Sequence, residues 1–337
     1  RLVLAHISES SPLEAIEITG IDSNIAHRQA LASALRFNSE LTARANRDAL
    51  DATLAALADP AFGAGDEAIS LKGYQVIRKL ASGGMSEVYL AERVSDGDQV
   101  VLKVLDLQAR QQADYLTRFI QEYALLSAIA HPNVIRIHDQ GFTDAHAYIA
   151  MEYFSSGDLR ARVGTPWLTQ SRALHIIQDI AAALAAIHAD DIVHCDIKPE
   201  NIMLREDGSA ALADFGIARK QHRRLPGAAQ LGTEEDSVMI GTPYYLSPEQ
   251  AAGEQATTHS DMYSLGVIMF EILAGQRPFN ADSLTQLREK HRIAATPPLP
   301  PEHKRLQPIV DRLMQKRPSD RYDSALQLIE ALGSLRP

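Results

Sequence analysis

A chain of 337 residues is long enough to bury a sizeable core in one large or two moderate domains. Its 45% hydrophobic and 23% charged residues are those of a globular protein, and a net charge of −10 argues against nucleic acid or an anionic membrane as the main partner. The one cysteine, Cys195, excludes an internal disulfide framework and fits a reducing cytoplasm. Residues 262–273 form the most apolar run, but they contain Ser264, Gly266 and Glu271 and are too few to span a bilayer. Nothing reads as a signal peptide, and a first residue of Arg rather than Met suggests a fragment of a longer protein.

Residues 1–70 carry no legible chemistry. Ser23 to Leu57 is rich in Ala and Leu and reads as one or two helices capped by Ser23 or Asn24. Its periodicity is imperfect: Leu31 and Leu35 share a face, from which Leu41, Leu50, Leu54 and Leu57 drift. The opening RLVLAHIS reads as the last strand of an upstream domain. A helical regulatory region and a linker are both open for this segment, which Pro60, Gly63 and Gly65 close.

From Tyr74 the period becomes that of strands. YQVIRKLA leads into the turn Ser82-Gly83-Gly84-Met85, and SEVYLAER returns with Val88 and Leu90 alternating against charged neighbours. A glycine-rich hairpin can bring backbone N–H groups close to phosphates. A third strand, QVVLKVLDL, sets Lys103 in an apolar run, where an unpaired ammonium would cost several kcal/mol. The partner is expected from the next helix: in residues 108–130, Leu116, Phe119, Ile120, Tyr123 and Leu126 form a face, and Glu122 beside it can reach Lys103.

Thr169 is expected to cap a helix from Ser171 to Ala189, with Leu174, Ile177, Ile180, Leu184 and Ile187 facing the core. That helix delivers the chain to HCDIKPENIMLREDGSAALADFG, residues 194–216. Here Asp196, Asn201 and Asp214 are hard oxygen donors and a proton acceptor, which suit a nucleotide carried with a divalent ion. Two short strands around Asp207-Gly208 would return Asp214 to Asn201. Residues 217–240 read as a mobile loop whose Arg219, Lys220, Arg223 and Arg224 form a solvated face. A buried helix starts at Asp261, with Gly275 as its C-terminal cap and Pro278 beyond.

Asp196 with Asn201 five positions on, then Asp214-Phe215-Gly216, resembles the catalytic loop and metal-binding segment of protein kinases. HPNVIRIHDQG, AYIAMEYFSSGDL and GTPYYLSPEQ follow the same family's order, so the resemblance covers about Tyr74 to Leu332. GGMSEVYLAER, HCDIKPEN, LSPEQAAG and SDMYSLGV look most like bacterial eukaryotic-type (Hanks-type) serine/threonine kinases. The resemblance implies an α+β, bilobal kinase domain over 71–335, with a β-rich N-lobe (71–151) carrying one long helix and a mainly helical C-lobe (155–335).

The resemblance also implies roles. ATP with Mg²⁺ or Mn²⁺ would lie under Leu80, Ala81, Ser82, Gly83, Gly84, Met85, Ser86 and Val88, with Met151 behind it and Glu152 C=O and Phe154 N–H facing the adenine. Lys103, held by Glu122, would steady the α and β phosphates and Lys198 the γ phosphate, with Asn201 and Asp214 on the metal and Asp196 accepting or orienting the hydroxyl proton. His194 and Asp261 would be structural, as would a buried Glu249–Arg321 pair fixing the lower lobe. Thr233, Ser237 and Thr242 are the activation-loop hydroxyls, with Thr242 beside Asp196; Lys198 and Thr242 follow the Ser/Thr rather than the Tyr pattern. Protein substrates, and a homodimer for autophosphorylation, are the implied partners.

Two departures stand out. Ala81 and Ser86 replace the first and third glycines of the phosphate loop, which implies a stiffer lid. Cys195 stands where many kinases carry Arg before the catalytic Asp, which makes this a non-RD kinase with no guanidinium there for an activation-loop phosphate. A small-molecule phosphotransferase of the aminoglycoside-kinase type would lack GTPYYLSPEQ and the Glu249–Arg321 pair. A pseudokinase would have lost Lys103, Asp196 or Asp214.

Overall fold

The computed structural model describes residues 71–82, 86–107, 119, 122–123, 125–127, 129–143, 145–215, 219–220 and 243–334. The expectations for residues 1–70, Gly83, Gly84, Met85, Leu116, Ile120, Gly216, Thr233, Ser237 and Thr242 lie outside them.

Alternating, β-branched segments build an antiparallel sheet of five strands: β1 (Tyr74–Ser82), β2 (Glu87–Arg93), β3 (Gln99–Asp106), β4 (Ile137–Phe142) and β5 (His146–Glu152), in the order β1-β2-β3-β5-β4. The sheet is strongly curled. Tyr74 of β1 packs edge-on to Tyr148 of β5, ring centroids 5.7 Å apart, and its hydroxyl donates to Asp139 Oδ2 of β4 at 3.2 Å. Strands at opposite ends of the order therefore meet, and Leu71, Tyr89, Ala91, Val100, Leu102, Val104, Tyr148 and Ala150 fill the curl as a small core. This corrects the expected alternation in β2. Tyr89, Leu90 and Ala91 are all buried in succession, because both faces of the strand are covered. Close packing between neighbouring strands also fixes Gly141 of β4, which is paired with Tyr148 of β5 and where a Cβ would come within 2.4 Å of that ring.

The second lobe is helical. Helix α1 (Gln170–Ala189) starts one residue earlier than expected, because the Thr169 side chain accepts from Arg172 N; Ile177, Ile180, Leu184 and Ile187 are buried as expected, while Leu174 is half-buried. After the short α2 (Pro248–Ala251) comes α3 (Thr258–Ala274). The latter begins three residues before the expected Asp261, where the Ser260 hydroxyl reaches back and accepts from Thr257 N at 2.9 Å. Every residue from Ser260 to Leu273 is buried, so α3 is the central post of the lobe. It ends at Gly275, φ +70°, whose N–H reaches Glu271 O. Helices α4 (Leu284–Ile293), α5 (Gln307–Leu313) and α6 (Ala325–Gly333) complete the lobe.

Two small sheets position the chemistry. β7 (Ile202–Leu204) and β8 (Ala210–Leu212) pair around Asp207-Gly208, and Ala213 N donates to Asn201 O at 2.8 Å, so Asn201 and Asp214 are returned to one place. β6 (Ile192–Val193) pairs with β9 (Arg219–Lys220) inside the stretch expected to be a loop. A two-residue strand is too short to leave a period in the sequence. No helix among the described residues is long and apolar enough to cross a membrane.

Candidate active site

A cleft of about 810 Å³ lies between the curled sheet and the helical lobe. Its roof is the inner surface of the first two strands: Leu80, Ala81, Ser82, Ser86 and Val88 line it. Met151 at the end of β5 stands behind, and Glu152 and Phe154 line the edge where the chain passes between lobes. The opposite wall carries Asp196, Asn201 and Asp214.

Lys103 shows why an ammonium is tolerated in β3. Register places it between Val88 of β2 and Ile149 of β5, and its side chain points into the cleft wall. There both Glu122 oxygens accept from its Nζ at 2.7 Å, and Asp214 Oδ1 lies at 3.4 Å. Glu122 is 4% exposed, so this ion pair is shielded from water. Burial opposes the charge on Lys103, but the two carboxylates outweigh it and hold its pKa above the ordinary value. Burial would likewise raise Asp214; Lys103, His194 and Lys198 overcome this and keep the carboxyl below its usual range.

The loop carrying Asp196 is held from below by Asp261. Its two oxygens accept from the backbone N–H of His194 (Oδ2, 2.9 Å) and of Cys195 (Oδ1, 2.9 Å), and His188 Nε2 lies 2.9 Å from Oδ2. Cys195 is in the left-handed region, φ +69°, uncommon for a side chain with a Cβ, and its carbonyl accepts from Gln250 Nε2 at 3.1 Å. His194 is fully buried, its Nε2 3.1 Å from Ala213 O and its ring edge-on to Phe215. Asp214 is the other left-handed residue of the wall, φ +59°. Thus one buried carboxylate fixes the loop before Asp196, and one buried imidazole joins it to the segment of Asp214.

On that frame Lys198 Nζ donates to Asp196 Oδ2 at 2.6 Å, and Asn201 Nδ2 donates to Asp196 O at 2.9 Å and to its Oδ2 at 3.3 Å. Deeper in the helical lobe, Glu249 and Arg321 meet in a two-pronged pair, both contacts 2.8 Å, with Arg321 only 1% exposed. Arg321 also donates to the carbonyls of Gln315, His259 and Lys316, and Ser260 Oγ to Glu249.

Several contacts at the site have no counterpart in the sequence reading. Arg205 binds Glu152 through two hydrogen bonds (2.7 and 3.1 Å) and lies over the Phe154 ring at 5.3 Å, tying the inter-lobe segment to β7. Arg160 joins Glu200 (2.9 Å) to Glu271 (2.9 and 3.2 Å), with the Tyr245 hydroxyl also on Glu271 at 2.7 Å. Asp261 was expected only as the start of a helix with a structural part. Its grip on the loop carried no local signal.

The protein kinase domain family matches residues 74–331. The chain is 42% identical over 271 residues to the serine/threonine-protein kinase pkn2 of Myxococcus xanthus, which spans 77% of this chain and 32% of that protein. It is 36% identical over 257 residues to the serine/threonine-protein kinase PrkC of Bacillus subtilis (75% and 39%), and 34% identical over 266 residues to PknB of Mycobacterium leprae (76% and 42%). The chain thus spans about a third to two fifths of the length of these relatives. Taken with the cleft and its two lobes, these matches place the chain in the protein kinase family, among bacterial serine/threonine kinases of the Hanks type.

Proposed function

We propose that this chain transfers the γ-phosphoryl group of ATP to Ser or Thr hydroxyls of protein substrates, in bacterial signalling. The observation that carries the reading is the convergence on one cleft of the Lys103–Glu122 pair from the sheet and the Asp196–Lys198–Asn201 cluster from the helical lobe. The donor set fits a divalent ion: a carboxylate, Asp214, stands beside an amide, Asn201, whose nitrogen is committed to Asp196, which leaves its oxygen as the donor. Two hard protein oxygens plus phosphates suit Mg²⁺ or Mn²⁺, which would offset phosphate charge.

Lys103 is set to contact the α and β phosphates, its position fixed by Glu122. Asp196 receives the substrate hydroxyl as a hydrogen bond and takes its proton as oxygen attacks phosphorus and the bond to ADP breaks. Lys198, already on Asp196, is placed to steady the γ phosphate. Catalysis of this kind is mostly positioning and electrostatics, which the buried supports under both groups supply. Residues 71–335 form the kinase unit in this reading, and 1–70 a helical regulatory region or a linker from an upstream domain. A second copy of the chain is a ready protein substrate, so autophosphorylation through a homodimer belongs to the same proposal, in the cytoplasm where ATP is available.

Incubation with γ-labelled ATP and a generic basic protein, followed by phosphoamino-acid analysis, tests the reading. Phosphoserine or phosphothreonine is expected, and absent with Asp196→Asn. Label confined to phosphotyrosine or to small molecules, or no label, would overturn it.

A further inference from the structure

A second hollow, of about 420 Å³, opens between the end of α3 and the proline-rich run 297–300. Most of its exposed wall is polar, with the side chains of Gln276, Asn280 and Arg277; Phe270, Ala274 and Leu299 supply a smaller apolar part. Among the described residues, Arg277 is the one charged residue on that wall, and no carboxylate lines it. Its guanidinium carbon lies 3.8 Å from the centroid of the Tyr244 ring, a stacking that fixes the plane of the fork.

Nearby acid is already committed. Glu271 takes two hydrogen bonds from Arg160 and one from the Tyr245 hydroxyl. Arg277 Nε comes within 3.4 Å of Glu271 Oε1, yet it is buried without a hydrogen-bond partner. The hollow therefore presents a partly compensated guanidinium, a donor of charge-assisted hydrogen bonds, among neutral polar side chains. It is also connected to the reaction. Arg160, which shares Glu271 with Arg277, bonds Glu200, and Glu200 lines the cleft with Asp196. This chain of paired charges runs from the cleft that holds Asp196 to Arg277.

We propose that this hollow is a docking subsite for an anionic side chain of the protein substrate, with Arg277 as the residue that reads it. The inference rests on the protein-kinase reading above. A planar guanidinium matches carboxylate and phosphate alike, so the anion is either Asp or Glu, or a residue phosphorylated beforehand.

The test is a set of peptides with one Ser acceptor in a neutral background, into which Glu, phosphoserine, Gln or Lys is placed one position at a time. For the wild-type chain, kcat/KM should favour Glu or phosphoserine over Gln by roughly tenfold at a flanking position, as expected for a hydrogen bond to a charged group. Phosphoserine well above Glu would identify primed substrates, and the two alike would identify acidic ones; both uphold the subsite. Arg277→Gln should bring the ratio close to one, and Arg277→Glu should turn it toward Lys. Arg277→Lys keeps the charge without the fork and should retain part of the preference, which decides the matter where the other variants fail to fold. A wild-type profile with no anionic preference, or one that all three variants share, would overturn the subsite while the kinase reading stands. Transfer to no peptide at all would overturn both.

Discussion

Lys103 illustrates how one residue depends on a partner 19 positions away. Its ammonium sits in a sheet because the more deeply buried Glu122 lies beside it, so Glu122 acts through Lys103. Lys103→Met is expected to lower phosphoryl transfer by about a hundredfold or more, in the range seen when one preorganised charge contact is removed. Glu122→Ala should lower it less, and the double variant should be little worse than Lys103→Met alone. A double-mutant cycle on transfer rate checks this; additive losses would count against the pairing. At Cys195 the expectation concerns what is missing. Asp261 and Gln250 hold its backbone, and the side chain offers no guanidinium to a phosphorylated loop. Thr233→Ala with Ser237→Ala should leave steady-state rates near wild type. A collapse restored by acidic replacements would show that phosphate control operates without that arginine.

Residues whose chemistry is announced by their neighbours in the chain were legible in the sequence. Asp196, Asn201 and Asp214 fall within one run of 19 residues, and Lys103 is conspicuous as a charge among valines and leucines. Arg205 on Glu152, His188 on Asp261 and Arg160 on Glu271 were not legible. These partners stand 53, 73 and 111 positions apart and each looks like an ordinary surface charge until the fold brings it in.

Between elements, the Glu249–Arg321 pair joins α2 to the turn before α6, across the start of α3. Burial would raise the Glu249 pKa, but Arg321 and Ser260 hold it below its ordinary value. Glu249→Ala leaves a guanidinium buried without its counter-charge, and a loss of about 3–5 kcal/mol is expected in urea denaturation. Replacing both at once, Glu249→Leu with Arg321→Met, should recover much of that loss, because two desolvated charges are removed together. A double variant as unstable as the single one would show that the carbonyls Arg321 holds matter more than the ion pair. Element boundaries were legible where capping chemistry is simple, as at Gly275. They were missed where a side chain inside the helix reaches back to cap it, as Ser260 does to Thr257 N, and where pairing rather than period makes the strand, as at Arg219 and Lys220.

For the whole molecule, the helical lobe has an acid-sensitive point at His291. It is fully buried against Tyr263, Phe279 and Lys316, and burial, then the Lys316 ammonium, lower its pKa to about 4. Tyr263 in turn packs against Arg321, which is itself paired with Glu249, and so leaves Lys316 as the cation that acts on His291. A base whose pKa is lower folded than unfolded binds fewer protons when folded. Its stabilising effect is complete above about pH 6.5 and is lost as pH falls toward 4, by about 3 kcal/mol in all. Unfolding free energy measured between pH 7 and 5 should therefore fall more steeply for wild type than for His291→Gln. Equal slopes would show that His291 is protonated in the fold.

The central claim is that the two acids of the cleft divide the reaction between them, Asp214 organising the nucleotide with its metal and Asp196 serving the hydroxyl. Titrating a fluorescent ATP analogue with Mg²⁺ against Asp196→Asn and Asp214→Asn, alongside phosphoryl transfer by each, tests it most directly. The account predicts that Asp196→Asn binds the nucleotide as wild type does and transfers poorly, while Asp214→Asn loses the metal-dependent part of binding and transfer together. Wild-type turnover in either variant, or the same binding defect in both, would contradict it.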